Sequence, residues 1–108
     1  MGKGKALELL LTADQLKADE AQRLGLVNHV VPLAELLSFC EALLNKILTK
    51  APLAIGLTID CVNTFFDAGG AAGYEAEAAA FGQAFGTADF KEGTAAFLEK
   101  RPAVFTGK

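Results

Sequence analysis

Between Ala34 and Phe66 the apolar residues recur every three to four positions, and this spacing constrains the fold more than any other feature. Leu36, Phe39 or Cys40, Leu43, Leu44, Ile47 and Leu48 share one helical face, and Ile55, Ile59, Val62 and Phe66 share another. A strand cannot use that period, because its side chains alternate between two faces. The spacing therefore predicts helices over about Ala34–Leu48 and Leu53–Phe66. In the first, Glu35 and Glu41 come early and Lys46 and Lys50 late, which suits the helix dipole. Pro52 restarts the chain at the one helical position that tolerates proline.

The flanking segments read the same way. Lys5–Leu11 is a run of strong helix formers that stops at the polar break Thr12-Ala13-Asp14. Ala18–Leu24 places acids first and Arg23 last, with Gly25 as a C-terminal cap. Leu26–Val31 is β-branched and apolar and is expected to be extended up to Pro32, yet the sequence offers it no partner strand. Asp67-Ala68-Gly69-Gly70 signals a turn, and Tyr74–Phe85 resumes a helix with Tyr74, Ala78, Phe81 and Phe85 on one stripe. Asp89-Phe90-Lys91-Glu92 fits a capping box with Asp89 as the cap, opening a last helix that ends before Pro102. The expected fold is all-α: a small bundle of about five to six helices with one short extended segment, over a single domain 1–108.

Composition narrows the function classes. With 52% hydrophobic and 21% charged residues the chain is neither disordered nor fibrous. Ten Lys and Arg against 13 Asp and Glu give a net charge of −3, which argues against a nucleic-acid partner. No apolar run reaches the roughly 18–20 residues that a membrane helix needs, so no membrane partner is expected either. Cys40 and Cys61 lie in apolar helical patterns without C-x-x-C spacing and read as reduced core thiols of a cytoplasmic protein. One His, one Tyr and no Trp leave little equipment for a catalytic or metal centre, and neither catalytic nor metal-ligating residues are assigned.

His29 has no matching acid or nucleophile and reads as structural. Glu75 and Glu77 stand two apart on a helix, so they point to different faces and read as solvated. Gly2 and Gly4, like Gly69, Gly70 and Gly73, lack the context of a phosphate loop and read as turns or caps. Tyr74, Phe81 and Phe85 read as core, with Phe81 the one that could be exposed for a purpose. Glu99-Lys100-Arg101 reads as a solvated end unless a phosphate-bearing ligand reaches it. The broad apolar faces exceed what a small bundle buries and imply self-association or another protein partner.

Several strings resemble the crotonase superfamily of enoyl-CoA hydratases and isomerases. They are Gly4-Lys5, Ala6–Thr12 with Asp14, Lys17–Ala21, Leu24–Pro32, Thr87–Gly93 and Ala96–Pro102, in the family's order. Ala13 stands where that family often has glycine. The resemblance implies that the chain is the C-terminal helical, trimerisation region of a crotonase-like fold, a fragment without the spiral catalytic core. That core would supply the oxyanion-binding N–H groups and catalytic glutamates, so Glu75, Glu77 and Glu92 are not assigned those roles. By the same resemblance Phe81 and Lys100 bind the nucleotide end of coenzyme A, through a ring face for adenine and an ammonium for phosphate. The resemblance implies a dimer or trimer, an acyl-CoA substrate of fatty-acid metabolism, and no resident cofactor. The alternative is a free-standing helical oligomerisation or protein-binding module.

Overall fold

The computed structural model describes residues 1–108 and holds six α-helices and a short 3-10 turn, with no β-strand. The all-α class and the number of helices follow the periodicity. The structure divides into two compact units, Met1–Glu41 and Ala42–Lys108.

The first unit contains α1 (Lys3–Thr12), α2 (Ala18–Arg23), the 3-10 turn Leu33–Glu35 and the start of α3 (Leu36–Leu48). Helix α1 stops because Ala13 takes the left-handed conformation (φ 56°, ψ 25°), and its N–H bonds the Leu9 carbonyl. Gly25 (φ 70°) ends α2 as expected, and the Leu26 N–H reaches back to the Ala21 carbonyl at 2.8 Å. The extended piece expected over Leu26–Val31 forms no strand, because no second strand lies beside it. Its backbone bends instead, and Gln22 Nε2 donates to the Asn28 carbonyl at 3.3 Å. His29 lies edge-on to Phe39, with ring centroids 5.0 Å apart.

The second unit contains the rest of α3, then α4 (Pro52–Ala68), α5 (Gly70–Phe85) and α6 (Ala88–Glu99). Pro52 is the first residue of α4, where its missing N–H costs nothing. A single residue joins α4 to α5. Gly69 holds φ 90° and ψ 169°, a conformation essentially restricted to glycine. Helix α5 begins four residues before the expected Tyr74, and the reason is contact with α4. A Cβ on Gly73 would lie 2.7 Å from Phe65 Cβ and 2.9 Å from Phe65 Cα, so the two helices meet backbone to side-chain root. The Tyr74 ring meets Phe65 edge-on at 6.2 Å.

The start of α6 also differs from expectation. Thr87, not Asp89, is the cap: its Oγ1 accepts the Phe90 N–H at 3.0 Å and donates to the Ala84 carbonyl at 2.7 Å. Asp89 sits inside the first turn, and its carboxylate is turned toward the chain's last residues, which outcompete its own backbone for it.

Little is buried. Ala21 and Ala96 are the only buried apolar side chains, whereas Phe66 is 79% and Phe97 83% exposed. The thiols expected in the core are free, but Cys40 is exposed and Cys61, which lines an open groove between α4 and α5, is half-buried. Two compact bodies of these sizes would expose about 6,900 Å² between them. The chain exposes 8574 Å². No single helix is long and apolar enough to cross a membrane.

Candidate functional site

Three phenylalanines gather where α5 runs into α6. Phe85 and Phe90 lie 4.7 Å apart by centroid, and Phe81 stands 6.3 Å from Phe85 and 6.2 Å from Phe90. The turn through Thr87 brings them together. Phe81 is the outermost of the three at 62% exposure, which leaves part of its ring open to a ligand. It borders a groove of about 460 Å³ between α4 and α5, walled by Leu57, Val62, Phe65, Tyr74 and Ala84. Glu77 is the one carboxylate on that wall. An apolar wall of this kind suits an aromatic or aliphatic occupant better than an ion.

Lys100 lies elsewhere on the second unit. It closes α6 in the left-handed conformation (φ 53°), with its N–H bonded toward Ala96 and Phe97. Its side chain is exposed and borders neither this groove nor a second one of about 420 Å³ between the start of α4 and α6. The two candidate residues thus occupy opposite ends of α6 and its approach, not one pocket. Glu75 and Glu77 are exposed and converge on no common point with another acid. No group of His, Cys, Asp and Glu side chains is assembled to hold a metal ion.

The residue after Lys100 is tightly held. Arg101 donates through Nη1 and Nη2 to the two carboxylate oxygens of Glu92 at 2.6 and 2.9 Å. Glu92 also accepts the Val104 N–H at 2.9 Å. The Arg101 guanidinium, and then the Val104 N–H, hold the Glu92 carboxyl down to about 2 from the usual 4.5. Because the unfolded chain protonates near 4.5, this pair stabilises the fold fully above that pH and loses its effect as pH falls toward 2. Thermal unfolding followed by circular dichroism is expected to show the loss across that window. Glu92→Gln lowers the midpoint at pH 7 and flattens the acid limb; an unchanged acid limb in the variant contradicts the pairing. Glu99, Lys100 and Arg101 are all exposed, as the sequence reading has it, and Arg101 is in addition paired with Glu92.

The family model for enoyl-CoA hydratase/isomerase matches residues 1–108. The chain belongs to this family, and its six helices are those of crotonase-fold enoyl-CoA hydratases. It is 45% identical over 108 residues to a crotonyl-CoA hydratase of Syntrophomonas wolfei, covering 100% of this chain and 42% of that protein. A short-chain-enoyl-CoA hydratase of Clostridium acetobutylicum is 43% identical over 103 residues, covering 94% of this chain and 39% of its own length. The solved enoyl-CoA hydratase of Bacillus anthracis superimposes with a TM-score of 0.94 at 32% identity, over 99% of this chain and 42% of its own. The chain thus spans 39 to 42% of the length of these relatives.

Proposed function

We propose that this chain is the C-terminal helical part of an enzyme that adds water to, or shifts, the double bond of an enoyl-CoA thioester. The family match over residues 1–108 is the observation that carries this reading. In it, the oxyanion-binding N–H groups and the acid–base glutamates lie outside these residues, and the helices serve the site by covering it and by assembling copies into a dimer or trimer. Coenzyme A enters as part of the substrate rather than as a resident cofactor, and the reaction belongs to cytoplasmic fatty-acid metabolism. Phe81 presents its ring to the adenine and Lys100 its ammonium to a phosphate. The open ring of Phe81 and the exposed side chain of Lys100 support those roles. The excess of apolar surface supports assembly.

Two contacts of this kind bind weakly by themselves. Stacking on an aromatic ring contributes about 1–3 kcal/mol, and one exposed lysine–phosphate pair up to about 1 kcal/mol. Set against the entropy lost on association, these leave a Kd of about 1 mM or weaker for free coenzyme A. Titration followed by NMR is expected to shift the Phe81 and Lys100 signals in that range, with Lys100→Ala weakening the response and no hydration of crotonyl-CoA above buffer. Micromolar affinity would mean a self-sufficient nucleotide site. Silence at both residues at about 10 mM, where a Kd of 1 mM nears saturation, removes the coenzyme A role and leaves a helical binding module.

A further inference from the structure

The eight residues from Arg101 to Lys108 form no regular structure, yet they are fastened along their length. Asp89, only 4% exposed, accepts the Thr106 N–H at 2.7 Å, the Gly107 N–H at 2.8 Å and the Thr106 hydroxyl at 3.3 Å. Its own N–H donates to the Lys108 carbonyl at 2.9 Å. One turn further along α6, Glu92 takes Arg101 and Val104. Between these two fastenings the Phe105 ring lies over Gly93, 3.4 Å from where a Cβ would stand. Gly107 turns at φ 78° beside the Pro52 ring, which would lie 3.7 Å from a Cβ at that position, at the first residue of α4.

Helix α6 has little else to hold it. The intimate contact in this unit is between α4 and α5, through Phe65 and Gly73, whereas α6 meets α5 mainly at Phe81, Phe85 and Phe90. Phe97 and Leu98, near its C-terminal end, are exposed. The groove of about 420 Å³ separates Leu53 of α4 from Phe97 of α6, with Phe105 as one of its walls.

We propose that Arg101–Lys108 is a strap latched by Asp89, which docks α6 onto the first turn of α4 and whose release frees α6 while the α4–α5 pair stays folded. The latch suits this task because a carboxylate accepting several backbone N–H groups forms strong, directional bonds that break together once the segment lifts. Opening by part of a domain at lower cost than global unfolding is an ordinary property of folded proteins. When the strap lifts, Phe105 leaves the groove wall, and the space between Leu53 and Phe97 opens.

Hydrogen exchange of individual amides in the full chain tests this. Asp89→Asn keeps the shape of the side chain but sets an NH2 group against the Gly107 N–H or the Thr106 N–H. The α6 amides from Lys91 to Glu99 are expected to exchange about tenfold faster or more, the scale set by losing a hydrogen bond to a charged acceptor. Amides of α4 and α5 should change by less than about twofold. Equal acceleration in α4, α5 and α6 would show that Asp89 only supports the whole unit, and no change in α6 would show that it latches nothing. Either result overturns the proposal. If Asp89→Asn does not fold, the reading passes to the chain shortened after Phe105, which leaves α6 intact and removes the same N–H donors; the same two outcomes decide.

Discussion

Gly73→Ala is expected to lower stability by about 2–3 kcal/mol, while Gly56→Ala and Gly82→Ala raise it by roughly 0.5–1 kcal/mol each. All three glycines lie inside helices, so intrinsic propensity alone would make every one of these substitutions favourable. The surroundings reverse the sign at one of them. A Cβ at 56 or 82 meets nothing within 4 Å, whereas at 73 it would lie 2.9 Å from the Phe65 Cα. That neighbour is backbone and cannot rotate away, so α4 and α5 must separate and the edge-on Phe65–Tyr74 pair is lost with them. Chemical denaturation of the three variants checks the pattern. A gain in stability for Gly73→Ala would mean that the helices meet less closely than described.

Assembly gives the other large effect. At tens of micromolar the chain is expected to sediment as a dimer or trimer, because the area it exposes beyond two compact bodies, about 1,700 Å², falls within the range of stable protein interfaces and exposed leucines and phenylalanines contribute to it. Leu44, Ile59 and Phe66 are exposed on α3 and α4, the helices whose apolar faces are broadest. Charging two such positions removes two anchors of about 1.5–2 kcal/mol each, so Ile59→Asp with Phe66→Asp should weaken association by about a hundredfold or more. Sedimentation over a range of concentrations reads this directly. A monomer throughout, or an assembly indifferent to both substitutions, would place the contact surface elsewhere or nowhere.

How far the sequence announced this structure depends on the range of the interaction. Pro52, Gly25 and the turn at Gly69 were legible because each acts through its own backbone conformation or that of its neighbours. Asp89 fits a capping box by its local sequence, and only the return of residues 17 and 18 positions downstream shows where its carboxylate is engaged. The start of α5 was missed because Gly70-Ala71-Ala72-Gly73 reads as a loop until the pressure of Phe65 is known. The Cys40 and Cys61 thiols were assigned to a core because helical periodicity marks an apolar face but does not say what covers it. For the candidate site, periodicity identified the stripe that carries Phe81 and Phe85, whereas their contact with Phe90 depends on the turn into α6. The role of Arg101 needed the spatial neighbour Glu92, nine positions away.

The single-residue joint at Gly69 has a consequence for the order in which the chain acquires its structure. Contacts between α4 and α5 close short loops, and short loops close within about 10–100 nanoseconds, so this pair can form early and quickly. Asp89, by contrast, waits for Thr106, which lies 17 residues further along. The hairpin can therefore form ahead of the contact between Asp89 and its donors. Until those donors arrive, α6 is held to the hairpin only through Phe90 against Phe81 and Phe85.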